Sequence, residues 1–321
     1  MPNLKVLFLG TPTFALDSLS ALLNDDFFKV VGVVTQPDKA IGRSNKLVTP
    51  PIKDLALKNG LNVFQPVKIK DALETIQALK PDIIIVVAYG QIIPDTILQI
   101  PKYGCINVHG SLLPKYRGAA VVQAPIINGD PETGVTIMVM DSGLDTGPIL
   151  SQEKISLAPN ETTALLFPKL SKLGASLLVR TIKKYIAGQI FPKPQDNTRA
   201  SKVGLINKVD GLINWSDSAT AIERQIRAMN PWPMTFTNWQ DKTLKIIAAK
   251  SVPLNINQYE PGETFMHYDD FAVQCGINAL IITELQLEGK NAMTSTNFLM
   301  GNSKIIHQIL GKPFDKPPII G

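Results

Sequence analysis

Two side chains in the run GCINVHGSLLPKYRGAA, residues 104–120, are equipped for catalysis. Asn107 and His109 stand two apart at the end of a strand-like segment, so both project to one side. A carboxamide and an imidazole placed together can donate hydrogen bonds to an oxygen that becomes negative during a reaction. A second segment supplies acids. DSGLDTG, Asp141–Gly147, follows another strand-like run and carries Asp141 and Asp145 among glycines, which permit close approach of backbone to a ligand. If the two strands are neighbours, Asp141 or Asp145 can reach His109. That aspartate would hold the imidazole and assist proton transfer.

Other chemistries fit these residues less well. Ser111 beside His109 suggests a hydrolase triad, but His109-Gly110-Ser111-Leu112-Leu113 lacks the G-x-S-x-G elbow. A zinc site would want a second histidine or thiolate close by, and His267 and His307 lie far along the chain, so no metal is expected. GTPTFA, from Gly10, lacks the three-glycine dinucleotide pattern, and no acidic residue ends the second strand, which reads against NAD.

The elements that must position these residues alternate. Strand-like runs are Lys5–Leu9, Val30–Thr35, Asn62–Phe64, Ile83–Val87, Gly104–Val108, Val135–Met140 and Ile149–Ile155. Between them fall helical patterns at Leu16–Leu23, from Pro50 and Pro51 to Lys58, at Asp71–Leu79 and at Ala119–Asn128, with a long one at Thr162–Ala187. Such alternation predicts an α/β fold, a doubly wound and mostly parallel sheet. Its ligands bind at the carboxyl ends of the strands, where Asn107, His109 and the loop after Met140 are expected. Gln36–Thr49 reads as a long polar loop of the kind that is usually functional.

From Gln189 to Lys208 the composition turns polar and proline-containing, as in a linker. Beyond a helical run at Ala219–Met229, short β segments at Thr235–Trp239, Leu244–Ala249, Phe271–Cys275 and Ala279–Leu285 predict a small β-barrel, closed or half-closed. The expected division is 1–189, a linker at 190–208, and 209–321. A length of 321 residues agrees with two domains.

The net charge of +5 and a pI of about 9.0 are compatible with an anionic partner without requiring one. Cations gather at Lys39, Arg43 and Lys46, at Lys115 and Arg117, at Arg199, Lys202 and Lys208, and at Lys242, Lys245 and Lys250. Together they can form a track along a phosphate backbone. Cys105 and Cys275 sit in apolar runs with no redox or metal spacing, as buried thiols in a reducing cytoplasm would. No signal peptide or membrane span is read, and a soluble cytoplasmic protein is expected.

At INVHGSLLPKYRGAA and MDSGLDTG the chain closely resembles the methionyl-tRNA formyltransferase family. GTPTFA, TQPDKAIGRSNKL, VVAYGQIIP, ETGVTIMVMDSGLDTGPIL and IRAMNPWP extend the resemblance over nearly its whole length. The resemblance implies a Rossmann-like formyltransferase domain and a C-terminal OB-like barrel that helps hold tRNA. It places Asn107, His109 and Asp145 at the catalytic positions and Ser111, Leu112, Leu113 and Pro114 on a folate-contacting loop. It places Arg43 on a loop inserted against the acceptor stem of initiator tRNA, and Lys46, Lys202 and Lys208 as further tRNA contacts. The implied reaction is formyl transfer from 10-formyltetrahydrofolate to methionyl-initiator-tRNA by a monomer without a metal. The Asn-x-His…Asp core is common to enzymes that use this donor, so an amino-sugar formyltransferase and a 10-formyltetrahydrofolate hydrolase are the alternatives. The family's Arg-Pro-x-Gly-Arg-Gly loop is here Lys39-Ala40-Ile41-Gly42-Arg43-Ser44, and the linker lacks a usual glutamate.

Overall fold

A computed structural model of the chain describes residues 3–41, 46–254 and 259–311. They divide into two compact units. The first contains the chain up to Val122, Glu132–Ser156 and Leu166–Gly204; the second contains Gln123–Pro131, Leu157–Leu165 and Leu205 onward. Among the described residues no helix is long and apolar enough to cross a membrane.

The first unit opens with β1 (Leu4–Gly10), α1 (Leu16–Leu23) and β2 (Phe28–Val34). A hairpin of β3 (Lys39–Ile41) and β4 (Lys46–Val48) precedes α2 (Pro51–Lys58), β5 (Val63–Phe64), α3 (Leu73–Leu79) and β6 (Ile83–Val87). Then come α4 (Asp95–Leu98), β7 (Cys105–His109) and β8 (Arg117–Gly118). After α5 (Ala124–Asn128), which belongs to the second unit, follow β9 (Glu132–Val139), β10 (Ile149–Ser156), α6 (Thr163–Ile186) and β11 (Lys202–Val203).

Seven of these strands form one sheet in the order β10-β9-β7-β6-β1-β2-β5. The five from β5 to β7 run parallel. β6 is IIIVV and buried throughout, as a central strand covered on both faces must be. The chain builds outward from β1 to β2 and β5, then returns to β6 on the other side of β1, so the order reverses between β1 and β6. This is the doubly wound sheet that the alternation predicts.

The second unit has α7 (Ala219–Met229), β12 (Thr235–Trp239), β13 (Lys242–Val252), β14 (Thr264–His267), β15 (Asp270–Gln274), β16 (Ala279–Leu287), β17 (Met293–Thr294) and α8 (Ser295–Asn302). Its strands pair antiparallel in the order β12-β13-β16-β15-β14, with β17 also on β16. Register breaks between Ile246 and Ala249 let β13 curl. No ladder joins β12 to β14 among the described residues, so the second unit is an antiparallel sheet that is not closed between these two strands. Its core gathers Trp215, Ile222, Trp239, Phe271 and Phe298.

Local expectations differ at four places. Gln36–Thr49 contains the β3–β4 hairpin rather than an open loop. Helix in Ala119–Asn128 is confined to α5, because the Ala119 and Ala120 N–H groups donate to the carbonyls of Val203 and Gly204 at 3.1 and 3.2 Å. Arg117, grouped above among the cations of a phosphate track, is buried at 4% exposure. β9 runs antiparallel to β7, with Val139 beside Ile106 and Thr136 beside His109. The loop after Met140 therefore leaves the sheet near the start of β7, not its carboxyl end, and must fold back to reach His109.

Candidate active site

The site is built on β7. Val108 packs beneath α6 so closely that a Cβ on Gly174 would lie 2.8 Å from Val108 Cγ1. By strand alternation Asn107 and His109 face the opposite side. Asn107 is half-buried and its carboxamide has no hydrogen-bond partner among the described residues. An amide without a partner at a strand end is equipped to receive a ligand. His109 is 5% exposed, and its Nε2 lies 2.9 Å from the Tyr116 carbonyl oxygen. A carbonyl only accepts, so the ring carries a hydrogen on Nε2 and, when neutral, a lone pair on Nδ1.

That Nδ1 lies 3.6 Å from Oδ1 of Asp145, whose side chain is 14% exposed. His109 and the second acid of DSGLDTG thus meet, and strand alternation puts Asn107 on the same side of β7 as His109. Asp141 is turned inward on its own loop, accepting from Gly143 N–H at 3.1 Å and Thr146 Oγ1 at 2.7 Å. Asp145 has a left-handed backbone, φ +52°, a conformation that aspartate tolerates better than most residues. Its Oδ2 accepts the Gly118 N–H at 2.8 Å. Gly118 belongs to β8, which pairs parallel with β11, and a Cβ there would sit 2.2 Å from the Val203 carbonyl oxygen.

The loop Ser111–Pro114 is fixed from below. Thr136 Oγ1 donates to the Ser111 carbonyl at 2.7 Å and accepts from Leu113 N–H at 3.1 Å and Gln152 Nε2 at 2.9 Å. Gln152 Nε2 also donates to the Leu113 carbonyl at 2.8 Å. Leu113 is buried, while Leu112 and Pro114 are half-buried. The Ser111 hydroxyl donates to the Lys115 carbonyl at 2.7 Å, so it closes the loop rather than meeting His109 as a nucleophile would.

At the switch point, the loops after β1 and β6 are tied together. The Tyr89 carbonyl accepts Thr11 Oγ1 at 3.0 Å and Gln36 Nε2 at 3.2 Å. GTPTFA, TQPD and VVAYG thus converge at the carboxyl ends of β1, β2 and β6, where doubly wound sheets form ligand crevices.

Of the cations, Lys202 on β11 and Lys208 in the second unit are exposed. Arg43 and the side chain of Lys46 lie outside the described residues. Thr136, Gln152, Tyr116 and Gln195 were not singled out from sequence. Among the described residues no group of three or more His, Cys, Asp or Glu stands together as metal ligands would.

Residues 4–182 match the family described as Formyl transferase, and residues 205–303 match Formyl transferase, C-terminal domain. A methionyl-tRNA formyltransferase of Citrifermentans bemidjiense is 43% identical over 97% of this chain and 98% of its own length. One from Agathobacter rectalis is 46% identical over 93% and 96%. The chain belongs to the methionyl-tRNA formyltransferase family. It is a formyl-transferring enzyme. Solved structures agree in fold: the sugar 3N-formyltransferase WlaRD, solved in the presence of dTDP and 5-N-formyl-THF, is 25% identical with a TM-score of 0.65, covering 91% of this chain and 100% of its own. An N-formyltransferase from Helicobacter canadensis, in complex with folinic acid and dTDP-3-aminofucose, is 24% identical with a TM-score of 0.65, covering 87% and 98%. Identity to the relatives named for methionyl-tRNA exceeds that to the sugar enzymes, so the amino-sugar alternative is not favoured.

Proposed function

We propose that this family member transfers the formyl group of 10-formyltetrahydrofolate to the α-amine of methionyl-initiator-tRNA for translation initiation, by direct attack through a tetrahedral oxyanion. The observation that carries the reading is the meeting of His109 and Asp145 on the same side of β7 as the unpartnered carboxamide of Asn107.

An α-amine titrates near ~7.7–8.0, so much of it is a free nucleophile at neutral pH. It attacks the formyl carbon, and charge builds on the formyl oxygen. Asn107 supplies an N–H to that oxygen from the outset. His109, with Nε2–H engaged by Tyr116, adds its Nδ1–H once it has taken a proton. Asp145 faces Nδ1 and stabilises the imidazolium. The proton lost by the amine passes through this pair to N10 of the donor. The C–N10 bond then breaks, releasing tetrahydrofolate and the formylated aminoacyl-tRNA.

In this reading residues 1–189 bind the donor and perform the chemistry, 190–208 connect, and 209–321 bind tRNA. Ser111, Leu112, Leu113 and Pro114 contact the folate beside the switch-point crevice, and Arg43, Lys46, Lys202 and Lys208 contact tRNA phosphates. The enzyme works in the cytoplasm as a monomer and uses no metal. The test supplies labelled 10-formyltetrahydrofolate with charged initiator or elongator tRNA. Label in formylmethionine, with initiator tRNA preferred, is the expected result. Label released as formate without tRNA would favour the hydrolase instead.

A further inference from the structure

The polar stretch after α6 contains one side chain that joins β8 to the acid-bearing loop. Gln195 Oε1 accepts from Arg117 Nε at 3.1 Å and from Arg117 Nη2 at 2.8 Å. Its Nε2 donates to the carbonyls of Asp145 at 2.9 Å and Gly147 at 2.7 Å. All four contacts lie within the first unit. The guanidinium of Arg117 completes its bonding on Asn197 Oδ1 at 2.8 Å, so this buried cation is anchored by neutral amides rather than by a carboxylate. A buried charge held this way keeps its partners in a fixed geometry, because any loosening leaves it poorly solvated.

We propose that Gln195 is a positioning residue for formyl transfer: it fixes the backbone of Asp145 and Gly147 so that the Asp145 carboxylate faces His109. The left-handed backbone at Asp145 makes such a clamp necessary, since residues held off the common conformations stay there only when their surroundings enforce it. Gly147 leaves no slack on the other side, since a Cβ there would lie 1.8 Å from the Val139 carbonyl oxygen. Arg117 and Asn197 orient the amide, and Gln195 passes that orientation to the acid-bearing loop. Gln195 makes no hydrogen bond to His109; it acts through Asp145.

This inference rests on the formyl-transfer reading of the site. Two variants test it, with wild-type formylation in the same assay. Gln195→Glu keeps the acceptor toward Arg117 and loses both donors to the loop, so it should melt within a few degrees of wild type. Gln195→Met removes both halves without adding charge. In each, kcat should fall about 10–100-fold, the scale of a misplacement near 1 Å, while KM for donor and tRNA stays within about threefold. Turnover at the wild-type level in either variant, or a rise in KM with kcat kept, would overturn the assignment. A merely structural glutamine would lose turnover in step with melting temperature, and Gln195→Glu breaks that link. If wild-type enzyme makes no formylmethionyl-tRNA, the functional reading itself falls; if it does and a variant matches it, only this inference falls.

Discussion

The Asp145 carboxylate stands 3.6 Å from Nδ1 of His109, while its other oxygen is occupied by the Gly118 N–H. One oxygen is thus held by the backbone and one is left to the imidazole. Replacing Asp145 by Asn preserves shape and tolerance of the left-handed backbone but removes the charge. We expect Asp145→Asn to lower kcat by about 10²–10⁴-fold, the range for a positioned proton-transfer group, with KM for tRNA little changed. Steady-state formylation at saturating substrates gives the answer; unchanged turnover removes the carboxylate from the proton path.

Asn107 should separate activity from stability. Its carboxamide contributes no hydrogen bond to the fold, so Asn107→Ala should change stability by no more than about 0.5 kcal/mol. Loss of one oxyanion donor should lower kcat by about 10²–10³-fold. Denaturant melts and kinetics on the same preparation settle both halves.

Thr136 should do the reverse of Asn107 and affect donor binding. Thr136→Val leaves the Ser111 carbonyl and the Leu113 N–H without their partner, at about 1–3 kcal/mol for each orphaned group. The folate-facing loop then loosens, and KM for the donor should rise. Thr136→Ser restores the hydroxyl and should recover most of the loss in both melting and KM.

Lys202 and Lys208 carry the prediction about nucleic acid. If each meets a phosphate, Lys202→Ala and Lys208→Ala should each reduce the slope of log affinity against log salt by about 1. Titrating labelled initiator tRNA between low and moderate salt measures it. A slope equal to wild type would move the phosphate track elsewhere.

The thiols should be silent. Burial pushes Cys105 and Cys275 up to about 12. A thiol raised this far stays protonated through pH 8, and only the thiolate attacks disulfide reagents. A colorimetric disulfide reagent at pH 8 should therefore find neither thiol in native protein and both after denaturation. Fast reaction of the folded protein would contradict the burial of these side chains.

What the sequence makes legible at this site is local. Matching parity puts Asn107 and His109 on one side of a strand because side chains alternate, whatever the neighbours are. Glycines flank Asp145 because the loop is tight, and that pattern is visible in one dimension. Thr136, Gln152 and Gln195 carry no such mark. Each is an ordinary polar residue whose role depends on carbonyls that only the tertiary fold brings near. Gln195 is hidden further by a composition that reads as spacer, although Lys193 and Ile149 exchange backbone hydrogen bonds just before it. Arg117 misleads for a related reason. Charge is read as exposure, and nothing in the chain says that two amides bury this guanidinium. The direction of β9 is likewise unreadable, since an apolar run looks the same whichever way its strand is laid.

The reversal of β9 bears on how the molecule assembles. Each parallel neighbour in the sheet must wait for a helical crossover to return the chain, but β9 and β10 pair antiparallel across a single loop, residues 140–148, with no helix between them. Hairpins close within about 1–10 μs, and short-range pairing carries the smallest loop-closure entropy. The β9–β10 pairing is therefore free to form early, whereas the turn bearing the acid takes its final shape only when Gly118 and Gln195 close on it from elsewhere in the chain.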